Sequence, residues 1–467
     1  MEIKLVENVK EVPCDVLIIS KFKDKETTSD LANKFLPEDF ECKKGEIFVI
    51  HTHGEQNAKY ILVVGLGDEK DLTNNVIRES VSKAIKKCAC LKAKKVAVEF
   101  NTDYNYGGPA LLGASIANYH FDKYKTKKDH RINEFYLPSD VDVELVERAE
   151  VVSEAMRFSR NLSNEPAAFA TPTKLAEIAQ GLEGIETEVF NSAKIQELGM
   201  GAYLAVAKGS VEPPKFIHMK YTPKHAKKKI AIIGKGLCFD SGGLDIKPPS
   251  SMLTMRDDMS AAASVIAIMR AMAKLKPDVE VHGIIAACEN MPGAGAYKPG
   301  DILTAMNGKT IEVDNTDAEG RLTLADALCF ACKLKVDEVV DIATLTGACM
   351  VALGTAATGI MGNDEKFIHD IIETGKIAGE KYWELPMWQE YRDQMDSEIA
   401  DMKNTGTRYG GASAAGMFLK EFVTDDVKWA HLDIAGTAFI EKPQKEFLCG
   451  GSTAAGVRTM IKYIIEQ

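Results

Sequence analysis

"KIAIIGKGLCFDSGGLDIK", residues 229–247, joins an apolar run to a turn rich in ionisable side chains. The run up to Phe239 is almost unbroken, which fits a strand buried on both faces. Three runs of the same kind follow, "VEVHGIIAAC" (279–288), "DEVVDIATLTG" (337–347) and "WAHLDIAG" (429–436). Interleaved with them are "AAASVIAIMRAMAKL" (261–275), "LTLADALCFACKL" (322–334) and "GASAAGMFLKEFV" (411–423), whose apolar residues recur at helical spacing. Buried strands alternating with helices predict an α/β fold with a mostly parallel central sheet flanked by helices.

At 467 residues the chain exceeds what one hydrophobic core usually supports. Its first third alternates β-rich runs, "CDVLIIS", "EIFVIHT", "YILVVGLG" and "KVAVEF", with the helical pattern "NNVIRESVSKAIKKCACL", which predicts a smaller α/β domain. The expected division is a small N-terminal α/β domain over 1–140, a linking helix within 141–165 and a larger C-terminal domain over 166–467. The "GLG" at 65–67 lacks the last glycine of a dinucleotide fingerprint and reads as a turn.

Several classes are disfavoured. The charged start of the chain does not read as a secretory signal. The uncharged stretch 342–362 holds four glycines and four threonines, which fits a buried strand and loop rather than a membrane span. Ten scattered cysteines show no zinc-site spacing and fit a reducing cytoplasm. A net charge of −11 opposes binding of nucleic acid by the whole surface, although basic clusters at 83–95 and 123–131 keep DNA contact as a second reading.

Ionisable residues gather where strands run into loops and helices, the places where such folds bind ligands. Lys235 and Asp240 lie at the end of the first run, Lys247 just beyond it, and Asp258 in "RDDMSAAAS" at a helix start. Asp317, Glu319 and Arg321 alternate in "NTDAEGRL" (315–322), where an extended segment would point them into one pocket. Four converging carboxylates could not all stay ionised without cations. A pair of divalent metals would neutralise them and yield hydroxide at neutral pH. Oxygen-rich ligation fits magnesium or manganese, with zinc also able to use carboxylates. The lysines and arginine read equally well as salt-bridge partners or as catalytic groups.

"NTDAEGRL", taken with "GKGLCFDSGGLDIK" and "RDDM", resembles the leucyl aminopeptidase family, the cytosol aminopeptidases that bind two metals. Further similarity runs through "RNLSNEPAAFATP", "ENMPGAGAYKPGDI", "DIATLTGAC" and "WAHLDIAGTAF"; the N-terminal third resembles the family only loosely. The resemblance implies that Asp240, Asp317 and Glu319 hold one metal, manganese or zinc, and that Lys235, Asp240, Asp258 and Glu319 hold the second. It implies that Lys247 polarises the scissile carbonyl of a peptide. Arg321 would hold a bicarbonate cradled by backbone groups of Ala318, Gly320 and Leu345. Met255, Thr344 and Gly347 would line an apolar side-chain pocket, with "LCGGSTAAG" (448–456) closing it. Removal of N-terminal leucine and similar residues with broad specificity, and assembly as a homohexamer, are further implications.

This chain departs from the family pattern at Ser260 and Ala261, where glycines are common, and adds Asp257 beside Asp258. A carboxylate-metal hydrolase of phosphate esters would use the same ligands, but the glycine-rich phosphate loop is missing.

Overall fold

The computed structural model describes residues 1–443 and 449–467. It divides into two units, Met1–Arg157 with Glu441–Gly450, and Phe158–Ile440 with Gly451–Gln467. The helix Val143–Ser163 contains the boundary.

The first unit is built on a six-stranded sheet in the order Glu2–Val6, Glu134–Pro138, Lys95–Glu99, Cys14–Phe22, Ala58–Gly67, Ile47–His51. Every pairing is parallel except the last. Alternate residues of its central strands enter opposite cores: Val16 and Ile18 join one apolar cluster, Leu17 and Ile19 the other. "GLG" is strand rather than turn, because Leu66 is fully buried and Gly65 passes close to the chain. A Cβ at Gly65 would stand 2.5 Å from the carbonyl of Lys43. In the 123–131 cluster, Arg131 pairs with Asp122 at 2.8 Å and Lys125 with Asp129 at 2.9 Å, so part of the basic charge is met internally.

The second unit holds an eight-stranded sheet in the order Tyr382–Glu384, Thr358–Gly362, Lys428–Asp433, Glu338–Ala343, Lys228–Asp240, Val279–Asn290, Lys215–Tyr221, Glu186–Phe190. The four apolar runs are its central strands, and all three pairings among them are parallel. The antiparallel pairings lie outside them. Helix Gly320–Lys333 covers one face, sending Leu322, Leu324 and Leu328 into a cluster with Ile233 and Trp429. Helix Ser260–Leu275 packs against the strand Lys228–Asp240, so closely that a Cβ at Gly234 would lie 2.8 Å from the carbonyl of Ala261.

The stretch 342–362 is a strand end, the short helix Gly347–Leu353 and the strand Thr358–Gly362, so it holds a helix as well as strand and loop. Thr346 starts that helix by accepting from the Cys349 N–H. Among the described residues no helix is long and apolar enough to cross a membrane.

Candidate metal centre and active site

Parallel strands end together at one edge of a sheet, and the ionisable residues collect there. Asp240 is the last residue of its strand and is paired in register with Asn290, the last residue of the neighbouring one. On the other side, Glu338–Ala343 ends just before Thr344. Asp258 follows the short helical turn Met255–Asp257, and Glu319 caps the helix Gly320–Lys333.

Asp240, Asp317 and Glu319 each offer a carboxylate oxygen within 4.8 Å of the others. Lys235 ties Asp258 to this group, its Nζ lying 2.8 Å from Asp258 Oδ1 and 2.9 Å from Glu319 Oε1. Lys247 Nζ is 2.8 Å from Asp240 Oδ2 and also pairs with Asp317. The structure therefore brings six of the seven ionisable positions into one cluster.

The seventh, Arg321, is differently placed. Thr316 and Asp317 form a turn closed by the Ala318 N–H on the Asn315 carbonyl, and Glu319 and Arg321 are already helical in backbone, so the segment is not extended. The Arg321 guanidinium forms no ion pair with the acids among the described residues, although the charges of Glu319 and Asp433 still favour its own; it donates to the Asn404 carbonyl at 2.7 Å and stands over the ring of Phe418.

Lys235, Asp240, Asp258 and Glu319 are all at most 4% exposed. Burial pushes the carboxyls of Asp258, Glu319 and Asp317 above their ordinary range. Burial also opposes a charge on Lys235 and Lys247, but the facing carboxylates outweigh it and hold both above the usual lysine value. Burial lowers Arg321 to about 10. The additional acid, Asp257, is partly buried, and burial raises it to about 6.

Two lysines balance only two of these four acids. Glu319 Oε2 and Asp258 Oδ2 are buried with no hydrogen-bond partner. Such orphaned carboxylate oxygens are costly without a cation, so the donor set fits divalent metal.

Of the remaining positions, Thr344 donates through Oγ1 to Asp258 Oδ1 at 2.7 Å, and its carbonyl accepts from Lys235 at 3.1 Å. Met255 is half-buried and Gly347 is exposed. The Ala318 N–H donates to the Asn315 carbonyl, and the Leu345 N–H to Asp433 Oδ1 at 3.3 Å. Position 448 of the closing segment lies outside the described residues.

Gly320 has a steric role: a Cβ there would stand 2.4 Å from Lys235 Cε. Gly320→Ala is expected to displace the lysine from both acids, lowering stability by about 1–3 kcal/mol. Thermal unfolding and steady-state turnover of the variant check this. A wild-type melting temperature and rate would refute it.

Three neutral residues that the charge pattern does not reveal, and one further acid, Asp433, complete the centre. Asn290 Nδ2 donates to Asp240 Oδ1 at 2.8 Å and to the Thr316 carbonyl at 3.0 Å. Tyr297 donates to the same carbonyl at 2.8 Å. Asn404 holds the acid-bearing turn from both sides, accepting from Asp314 N–H at 2.8 Å and donating to the Asn315 carbonyl at 2.7 Å. Asp433 Oδ2 accepts from the Thr346 hydroxyl at 2.7 Å. Asn290, Tyr297 and Asp433 lie in segments that carry the family resemblance; Asn404, in "DMKNTGTRYGG", had no such signal.

Comparison with known proteins gives this centre a setting. The model for the Cytosol aminopeptidase family, catalytic domain, matches residues 157–461, and that for the family's N-terminal domain matches residues 13–128. A probable cytosol aminopeptidase of Sulfurihydrogenibium sp. (strain YO3AOP1) is 43% identical over 465 residues, covering 95% of this chain and 91% of that protein. One from Aquifex aeolicus (strain VF5) is 45% identical over 440 residues, covering 92% and 89%. Among solved structures, the bottromycin maturation enzyme BotP in complex with Mn superposes with a TM-score of 0.89 at 30% identity, covering 97% of this chain and 99% of that one. These likenesses define the class as metal-dependent aminopeptidase, a hydrolase of peptide bonds. The chain belongs to the cytosol aminopeptidase family.

Proposed function

We propose that this chain uses two divalent ions, manganese or zinc, to release single residues from the amino end of peptides, preferring leucine and similar apolar residues with broad tolerance. The observation that carries this reading is the meeting of buried Asp240 and Glu319 with part-exposed Asp317, with Lys235 joining Asp258 to them. Asp240, Asp317 (side chain and main-chain carbonyl) and Glu319 would hold one ion, and Lys235, Asp240, Asp258 and Glu319 the other. Bound there, the ions supply Lewis acidity and the means to ionise water near neutral pH.

The chain's own groups do the rest. Lys247, held by Asp240 and Asp317, presents a fixed cation to the scissile carbonyl and stabilises negative charge as it develops on that oxygen. Arg321, buried and cationic, would retain a bicarbonate as general base, with Ala318, Gly320 and Leu345 around it. Asn290 fixes Asp240 in place. Met255, Thr344 and Gly347 would shape the side-chain pocket. A Cβ at Gly347 would meet nothing within 4 Å, so this wall leaves room for branched residues. An uncharged wall separates substrates by only about 1–3 kcal/mol per methylene, which is the basis for broad choice.

Homohexameric assembly, a cytoplasmic setting and the division at 141–165 belong to the same proposal. Light scattering that finds a stable monomer would remove the first. The central test is hydrolysis of leucinamide by the purified protein. Activity is expected to vanish with a strong chelator and return with Mn²⁺ or Zn²⁺. Full turnover in metal-depleted protein would overturn the reading.

A further inference from the structure

Three ionisable side chains stand in a line on the sheet of the second unit, away from the acid cluster. Strands Lys215–Tyr221 and Val279–Asn290 pair antiparallel, with His218 opposite Ile284 and Lys220 opposite His282. Alternate residues share a face, so His218, Glu280 and His282 lie on one side of the sheet. His218 Nε2 is 2.9 Å from His282 Nδ1, and His282 Nε2 is 3.1 Å from Glu280 Oε1. Glu280 and His282 are buried and His218 is half-buried, with the ring of Phe330 edge-on to it at 5.3 Å. His282 is in register with Ala231, four residues or about 13 Å along the strand before Lys235, so this line is separate from the carboxylate centre.

Glu280 sets the direction of each hydrogen bond. Lys220 at 3.5 Å and Lys229 at 3.7 Å flank its carboxylate and favour its charge, so Glu280 accepts and His282 Nε2 donates. Burial lowers the His282 imidazole; burial and the facing His282 lower His218 to about 4, so both rings are neutral near neutral pH. The lone pair of neutral His282 is therefore on Nδ1, and it faces His218. A carboxylate behind one ring nitrogen and a lone pair on the other is the arrangement that metal-ligating histidines use. We propose that His218 Nε2 and His282 Nδ1 hold one divalent transition-metal ion of the imidazole-preferring kind, nickel, copper or zinc, in addition to the ions of the carboxylate centre. The ion takes the place of the hydrogen between the rings, and His218 carries that hydrogen on Nδ1 instead, so no net proton is released. Metal–imidazole bonds of about 2.0–2.1 Å set two nitrogens about 2.9–3.3 Å apart, from a right angle to a tetrahedral one, so the rings tilt toward the ion and barely separate. Water completes the coordination from the half-buried His218 side. Bound there, the ion ties together two strands whose histidines are 64 residues apart in the chain.

The probe is Cu²⁺, which binds nitrogen ligands more tightly than zinc does, added at one equivalent to protein already loaded with Zn²⁺. Equilibrium dialysis measures its affinity, and pulsed electron paramagnetic resonance counts the imidazoles bound to it. The carboxylate centre has no histidine, so it cannot give that signal. The wild type is expected to show a two-imidazole signature. His218→Gln and His282→Gln should each reduce it to one imidazole and weaken the affinity by at least about tenfold, and Glu280→Gln should weaken it by about 10–100-fold, the cost of losing the carboxylate behind a ligating ring. Thermal unfolding without copper reports that each variant is folded; where His282→Gln is not, the half-buried His218→Gln carries the same test. The exposed rings of His51 and His53 lie 4.3 Å apart and offer copper another place. A two-imidazole signal that survives the His218 and His282 substitutions belongs there and would overturn the proposal, as would its absence from the wild type.

Discussion

Glu319→Gln is expected to lower leucinamide turnover by at least about a hundredfold while leaving the fold of the metal-free protein intact. Glu319 is 1% exposed; one of its oxygens meets Lys235 at 2.9 Å and the other has no hydrogen-bond partner. Glutamine keeps the shape and removes the charge. In the metal-free protein that change eases repulsion with Asp240, whose proximity helps raise the Glu319 carboxyl after burial itself. Unfolding midpoints of the metal-free variant should therefore match or exceed the wild type, while metal content per chain falls. A variant that keeps its turnover, or that loses activity only by unfolding, would contradict the assignment of Glu319 as a shared ligand.

Lys247→Met should cost about a hundred- to a thousandfold in kcat, the range for loss of one preplaced donor to a developing oxyanion. The defect belongs to the transition state, so KM for leucinamide should change far less than kcat. Metal content should be retained, because no carboxylate is lost. That separates Lys247 from Glu319: one variant is a poor catalyst with its ions bound, the other a poor binder of ions. Loss of metal in Lys247→Met would place the lysine among the structural supports of the cluster, and an unchanged kcat would remove it from the chemistry.

The legible parts of this molecule were those that change composition. Ile230, Ile232 and Ile233 mark a doubly buried strand because no polar face interrupts them, and all four such runs are the parallel centre of the sheet. Lys235, Asp240, Asp258, Asp317 and Glu319 stand out because charges beside buried strands need a reason. Arg321 was misread in geometry: alternation in sequence implied an extended segment, but Glu319 is already helical in backbone (φ −78, ψ −34), so the next residues turn away with the helix. Asn290 and Asn404 were invisible to a search for charge, since a neutral amide looks the same in a solvated loop as under a carboxylate. Their contribution depends on partners 26 to 90 residues away in the chain, a relation that local patterning does not encode.

Asn404 has a consequence for how the enzyme comes into being. Every charged group of the cluster has left the ribosome once residue 321 is out, but the amide that clamps their turn comes 83 residues later than Arg321. Asp433, which steadies the turn after Thr344, comes later still. Long-range parallel pairing already delays assembly of such sheets. A chain that ends before residue 404 thus bears the acids and lysines without the hydrogen bonds that hold their turn.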